Sequence, residues 1–299
     1  MTDIADKDLF SMASAMLIDG AEGPDEILAL LSPLQRDIIS MQQLLVDGKL
    51  ADATTISEEL LSRSRSNSER DAEAEVRIRI ERALLAVEGN DKSGMELRWC
   101  TDRLNAMMPG SSLHGIAMLN LAAWHANNGE IMMSLAIHAD ISKISGQPPE
   151  IRGLSRLEVA RMLSALSDYD PAMRHLWTAR AIFLEYELTA EAIVAGLEWL
   201  DLALEEVDST APRMLERIES AAPRPVPGNS WIPSNPEDVR DVVEYLLPIL
   251  TVDVTGAERN DLGLIVDAAE VIGEGTWLKK ISEHSGSIQD TKLLEALQS

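Results

Sequence analysis

The sequence predicts an all-helical protein assembled from successive antiparallel helix pairs, and three observations carry that prediction. Apolar residues recur at spacings of three and four, as in Ile38, Met41, Leu44 and Leu45, in Leu157, Ala160 and Leu163, and in Leu197, Leu200 and Leu204. Turn formers interrupt these stretches at short intervals, leaving segments of roughly 12–20 residues, the usual helix length. The apolar fraction is 45% but aromatics are only 4%, so Leu, Ile, Val, Ala and 13 Met must fill the core. Leu, Ala and Met lose little side-chain freedom in a helix, whereas sheets favour β-branched and aromatic residues.

In chain order, residues 1–32 read as capping helices, Asp6–Ile18 and Asp25–Leu31. Residues 33–222 read as four to five helix pairs, with turns at Gly48, Gly89, Gly129 and Ser167 and a weaker one at Val207. These markers recur about every forty residues, the mark of a repeat. Five residues after each stands a small or compact residue: Ala53, Gly94, Ser134, Ala172 and Pro212. The alternating run Val76-Arg-Ile-Arg-Ile80 sits inside a longer helical pattern through Ala83, Leu84 and Val87, and is read as helix. Residues 223–236 form a Pro-rich connector in which Trp231 is expected to anchor against a helix. Residues 237–299 then form a helical end-piece: Pro236–Leu250, Arg259–Ile272, Thr276–His284 and Asp290–Leu297.

The turns Gly48-Lys-Leu-Ala-Asp-Ala53 and Ser167-Asp-Tyr-Asp-Pro-Ala172 resemble the inter-helix turn of the tetratricopeptide repeat, where a Gly-Asp-Tyr-like turn leads into a close-packed Ala. Tyr169, Ala172, Ala179 and Ala160 match family positions, as do Leu121, Ala122 and Gly129. The resemblance covers roughly residues 33–222 and implies a right-handed solenoid. These units exceed the family's length of about 34 residues, and they lack its opening Trp and closing Pro. Arg98 and Glu216 fall where the family has an apolar side chain.

The charge narrows the partners. Fifty acidic and 26 basic residues leave a net charge of −24, which repels phosphate backbones and anionic lipid. No nucleic-acid or membrane role is expected. Residues 63–103 are the exception, with 9 acidic and 9 basic side chains. The single cysteine, Cys100, admits no intrachain disulfide. The acidic start and the lack of a long apolar run predict a cytoplasmic protein.

No catalytic constellation emerges. Phosphate loops, dinucleotide fingerprints and nucleophile elbows are absent from the sequence. Cys100 reads as a buried thiol, and no metal or cofactor is expected. His125 and His138 read as a buried couple within one helix pair, with a metal site completed by Asp140 as the weaker alternative. Trp99, Trp124, Trp177 and Trp199 read as core, or else as exposed anchors.

Arg77, Arg79 and Arg82, with Arg98 and Arg103, form either a surface paired with Glu73, Glu75 and Glu81 or a patch for an acidic peptide. What the resemblance implies for function is a concave face lined by the first helices: Gln42, Arg79, Ala83, Leu119, Ala123, Asn127, Leu157 and Arg161. The expected role is a non-enzymatic scaffold that holds a protein or peptide partner, an acidic segment being one such occupant. The alternatives are a regulatory sensor domain and an enzyme with a dispersed site.

Overall fold

The computed structural model describes Phe10 and residues 25–220, 231–252 and 261–297. Among them every regular element is a helix, and the one β-bridge pairs Val207 with Ser234. After a helical turn at Asp25–Leu28 the helices are α1 (Pro33–Val46), α2 (Leu50–Arg65), α3 (Ala72–Leu84), α4 (Asn90–Met107) and α5 (Ser112–Asn127). They continue with α6 (Ile131–Lys143), α7 (Pro149–Ala165), α8 (Tyr169–Glu185), α9 (Thr189–Ala203) and α10 (Met214–Glu219). The last four are α11 (Pro236–Leu250), α12 (Leu262–Ile272), α13 (Gly275–Ser282) and α14 (Thr291–Ala296).

Local chemistry sets the boundaries. Ser32 and Gln35 form a reciprocal capping box before α1, and Asp71, Ser111 and Asn235 cap α3, α5 and α11. Pro33, Pro149 and Pro236 occupy first turns, where the missing N–H costs nothing. Gly48, Gly89, Gly129 and Ser167 all adopt positive φ, at 73°, 95°, 78° and 60°. These are the four strong turn markers, and in each case the chain reverses into the second helix of a pair.

The small residue five positions on lets the two helices approach closely. Ala53, Ser134 and Ala172 are completely buried, while a Cβ on Gly94 would overlap the Trp124 ring of α5, the first helix of the next pair. The fifth marker behaves differently. Val207 bridges to Ser234 and Pro212 is exposed, so no second turn of this kind exists there.

The chain divides into two compact units, residues 1–146 and 147–299. In the first, α1 packs on α2, α3 on α4 and α5 on α6, while α3 touches α1 and α5 as well. Helix α3 explains the alternating run. Ala74 and Ile78 join Phe10, Leu34, Ile38 and Leu60 on one side. Val76 and Ile80 join Cys100, Leu104 and Leu113 on another, and Ala83 packs with Leu97 and Leu121. A helix buried on three sides loses its clean amphipathic stripe. Of the expected capping helices, Asp6–Ile18 lies outside the described residues apart from Phe10, whose ring lies 4.3 Å from the Arg77 guanidinium.

In the second unit one core runs from Leu157 to Leu293. It joins α7, α8 and α9 to the residues beyond the proline-rich segment, so 237–299 is not a separate piece. The division falls at Gly146, not near residue 222, because α9 packs against α11 and α12. Val239, Val242, Val243, Leu246 and Leu247 of α11 supply the apolar face that the six-residue α10 is too short to give.

The two ends of the segment, whose residues 221–230 lie outside the described set, are stapled together. Asp238 accepts from Arg213 Nε at 2.5 Å and from the Met214 N–H at 2.7 Å, and Asn235 Nδ2 donates to the Ala211 carbonyl at 2.7 Å. Arg217 forms a buried ion pair with Asp170. Trp231 stacks on Tyr169 with ring centroids 4.6 Å apart, the anchor its position suggested.

In α7, Gly153 lies against the fully buried Phe183 ring of α8, where an added Cβ would overlap it. Gly153→Ala should therefore lose stability despite alanine's better helix propensity. A net loss of about 1–2 kcal/mol is expected by chemical denaturation.

Candidate functional site

Three members of the arginine cluster, Arg77, Arg79 and Arg82, are neutralised by carboxylates of the fold, whereas among the described residues Arg98 and Arg103 are not. Arg77 pairs with Glu73 at 2.8 Å and Arg82 with Glu88 at 3.2 Å. Arg79 donates to Glu75 at 3.1 Å, pairs with Glu96 of α4 and lies 4.2 Å from the centre of the Trp99 ring. Glu75 also takes Arg65 of α2 at 2.8 Å. Arg79 thus faces the second helices α2 and α4 rather than a face shared by first helices. The depression beside Arg82 and Ala83 holds only about 10 Å³. An acidic peptide at Arg77, Arg79 or Arg82 would have to displace carboxylates already in place.

The remaining proposed lining residues scatter. Gln42 donates to Glu81 at 2.8 Å across α1 and α3. Ala83 and Leu157 are core residues and offer nothing to a ligand. Leu119 is half-buried, while Ala123 and Asn127 are exposed along α5. Arg161 does lie on a first-helix face, gripping Glu198 of α9 with Nη2 at 2.6 Å and Nε at 3.1 Å, and Glu158 with Nη1 at 2.6 Å. Glu198 holds this guanidinium above its ordinary pKa.

Beside that clamp lies a cleft of about 510 Å³. Val194, Leu197, Glu198 and Asp201 of α9 form one wall, and Asp261, Leu264 and Asp267 form the other. Its lining is three aliphatic side chains and four carboxylates, of which Glu198 is the one held by Arg161. The residues from α12 entered through long-range packing across the proline-rich segment, which no local spacing announces.

A second cleft, of about 340 Å³, opens between α4, α5 and α6 and is lined by Thr101, Asp102, Asn105, His114, Met118, Asp140, Lys143 and Ile144. His114 is buried, and its Nδ1 accepts the Gly110 N–H at 3.2 Å. Burial lowers its pKa.

The other candidates are structural. Cys100 is buried, its thiol is 3.8 Å from the Val76 carbonyl, and burial pushes its pKa up to about 12. That is no nucleophile. His125 is bonded to Glu130 at 2.5 Å and lies 3.4 Å from Arg98 Nη2, while His138 is buried in the same helix pair. Among the described residues no group of three or more His, Cys, Asp or Glu side chains could hold a metal ion. Trp177 and Trp199 are buried edge to face at 5.0 Å, and Trp124 Nε1 donates to Asn90. Trp99 is partly exposed beneath Arg79. No described helix is long and apolar enough to cross a membrane.

With this geometry in view, the chain was compared with known proteins. It matches no protein-family model and no curated protein. The clefts themselves must therefore carry the functional argument.

Burial lowers the His138 pKa to about 4, so the folded state resists protonation where the unfolded chain, near 6.5, accepts it. The unfolded state then binds more protons between those values, and stability falls as pH drops from 6.5 towards 4. Denaturation across this range should show the decline, with a slope of up to about 1.4 kcal/mol per pH unit from this group. His138→Gln should flatten it, and an unchanged slope would remove His138 as its source.

Proposed function

We propose that this chain is a non-enzymatic helical-repeat module that holds a segment of a protein partner on the face formed by its first helices. In this reading the helix pairs within each compact unit stack in a right-handed, tetratricopeptide-like manner. Four positive-φ turns about forty residues apart support it, as do the buried small residues that follow them. So do the contacts between first helices, α1 with α3 and α3 with α5, and the Arg161–Glu198 clamp between α7 and α9. A helix pair of this size leaves apolar faces uncovered, and stacking is the way repeat proteins cover them.

The cleft of about 510 Å³ is the observation that carries the binding role. Three aliphatic side chains beside Glu198, Asp201, Asp261 and Asp267 suit a basic segment with one or two apolar anchors. The net charge of −24 would steer such a segment inwards and turn acidic competitors away. The occupant is thus opposite in charge to the one suggested by the arginine cluster.

A fluorescent amphipathic peptide of Lys and Leu, read by anisotropy, tests this. It should bind, weaken as salt rises, and lose about tenfold or more in affinity to the variant Asp201→Lys/Asp261→Lys. The same peptide with Glu in place of Lys should not bind. Equal binding by both peptides, or by both proteins, would refute the assignment.

A further inference from the structure

The cleft between α4, α5 and α6 is independent of the acidic one and has a different chemistry. His114 reaches it from the first turn of α5 and is only 1% exposed. Because Nδ1 already accepts the Gly110 N–H, the proton of the neutral ring sits on Nε2. That tautomer is locked by the backbone. Gly110 has φ +79°, and a Cβ there would overlap the Ser145 carbonyl oxygen just beyond α6, so the turn that supplies the N–H requires glycine. Burial also keeps the ring neutral at neutral pH.

Nε2–H has no hydrogen-bond partner among the described residues, although the side chain is buried and lines the cleft. This N–H is therefore free to donate to water or to a ligand held in the cleft. Across the cleft Asp102 likewise has no bonded partner among the described residues, whereas Asp140 is paired with Lys143 at 2.9 Å. The walls therefore present one fixed donor and one uncompensated carboxylate. Met118 and Ile144 add apolar surface between them.

We propose that this cleft binds a small zwitterion of the α-amino-acid class. The His114 Nε2–H donates to its carboxylate, and Asp102 receives its ammonium group. An anion alone would meet Asp102 unpaired, and a cation alone would leave Nε2–H without an acceptor. A zwitterion answers both. The volume of about 340 Å³ accommodates one such molecule with its side chain along Met118 and Ile144, at the small end of the range for ligand sites.

The test is calorimetric titration of the full chain with the common L-amino acids, each beside its carboxamide and its deaminated acid. At least one amino acid should bind while its amide and its deaminated acid do not. In protein labelled at histidine nitrogen, the His114 Nε2 resonance should move on addition of that amino acid. Asp102→Asn removes only the charge of an exposed side chain that makes no hydrogen bond or ion pair among the described residues, so it should leave the melting temperature unchanged and weaken binding by about tenfold or more. The proposal is overturned if no amino acid binds, if the amide or the acid binds as well as the zwitterion, or if Asp102→Asn binds undiminished.

Discussion

Close approach of two helices just after a left-handed turn is the constraint from which the rest of this structure follows. Gly48, Gly89, Gly129 and Ser167 turn the chain back on itself, and a small side chain five residues later permits contact between the paired helices. Close contact of this kind leaves little room for large rings, which accords with a composition of many Leu, Ala and Met and few Phe and Tyr. It also leaves each pair with apolar surface on its outer sides. Helix α3 meets that need by packing in three directions. Helix α9 meets it by recruiting α11, since the chain supplies only the short α10 where another long helix would continue the pattern.

Charge is organised by a second rule. Many of the arginines are spent within the fold: Arg63, Arg65, Arg77, Arg79, Arg161, Arg213 and Arg217 each hold carboxylates from nearby elements. The guanidinium fork suits this work because it engages a carboxylate at two points. Such pairs add little net stability where they are exposed, but they fix how neighbouring helices register. An arginine-rich stretch, conspicuous in the sequence, is therefore in large part internally paired in the fold.

Local chemistry was therefore legible and long-range pairing was not. The four turns, the bounds of Pro236–Leu250, the inert Cys100 and the anchoring of Trp231 could be read from residue type and spacing, because each depends on neighbours in the chain or on burial alone. The direction of Arg79 could not, since a helix with three buried sides gives no single stripe from which to assign faces. For the same reason Ala83 and Leu157, placed on a groove floor, lie in cores. The acidic cleft joins α9 to α12 across some sixty residues, and the His114 cleft depends on a glycine N–H four positions upstream. A Gly110-x-x-x-His114 spacing is the one local hint of that second site.

The account stands or falls on whether the α9–α12 face captures a segment. The most direct measurement is amide hydrogen exchange on the full chain, with and without a saturating Lys- and Leu-containing peptide. Slower exchange confined to α9, the start of α12 and the neighbouring turn of α7 is the predicted footprint. Protection spread over α2 and α4, or none in the presence of bound peptide, would contradict it.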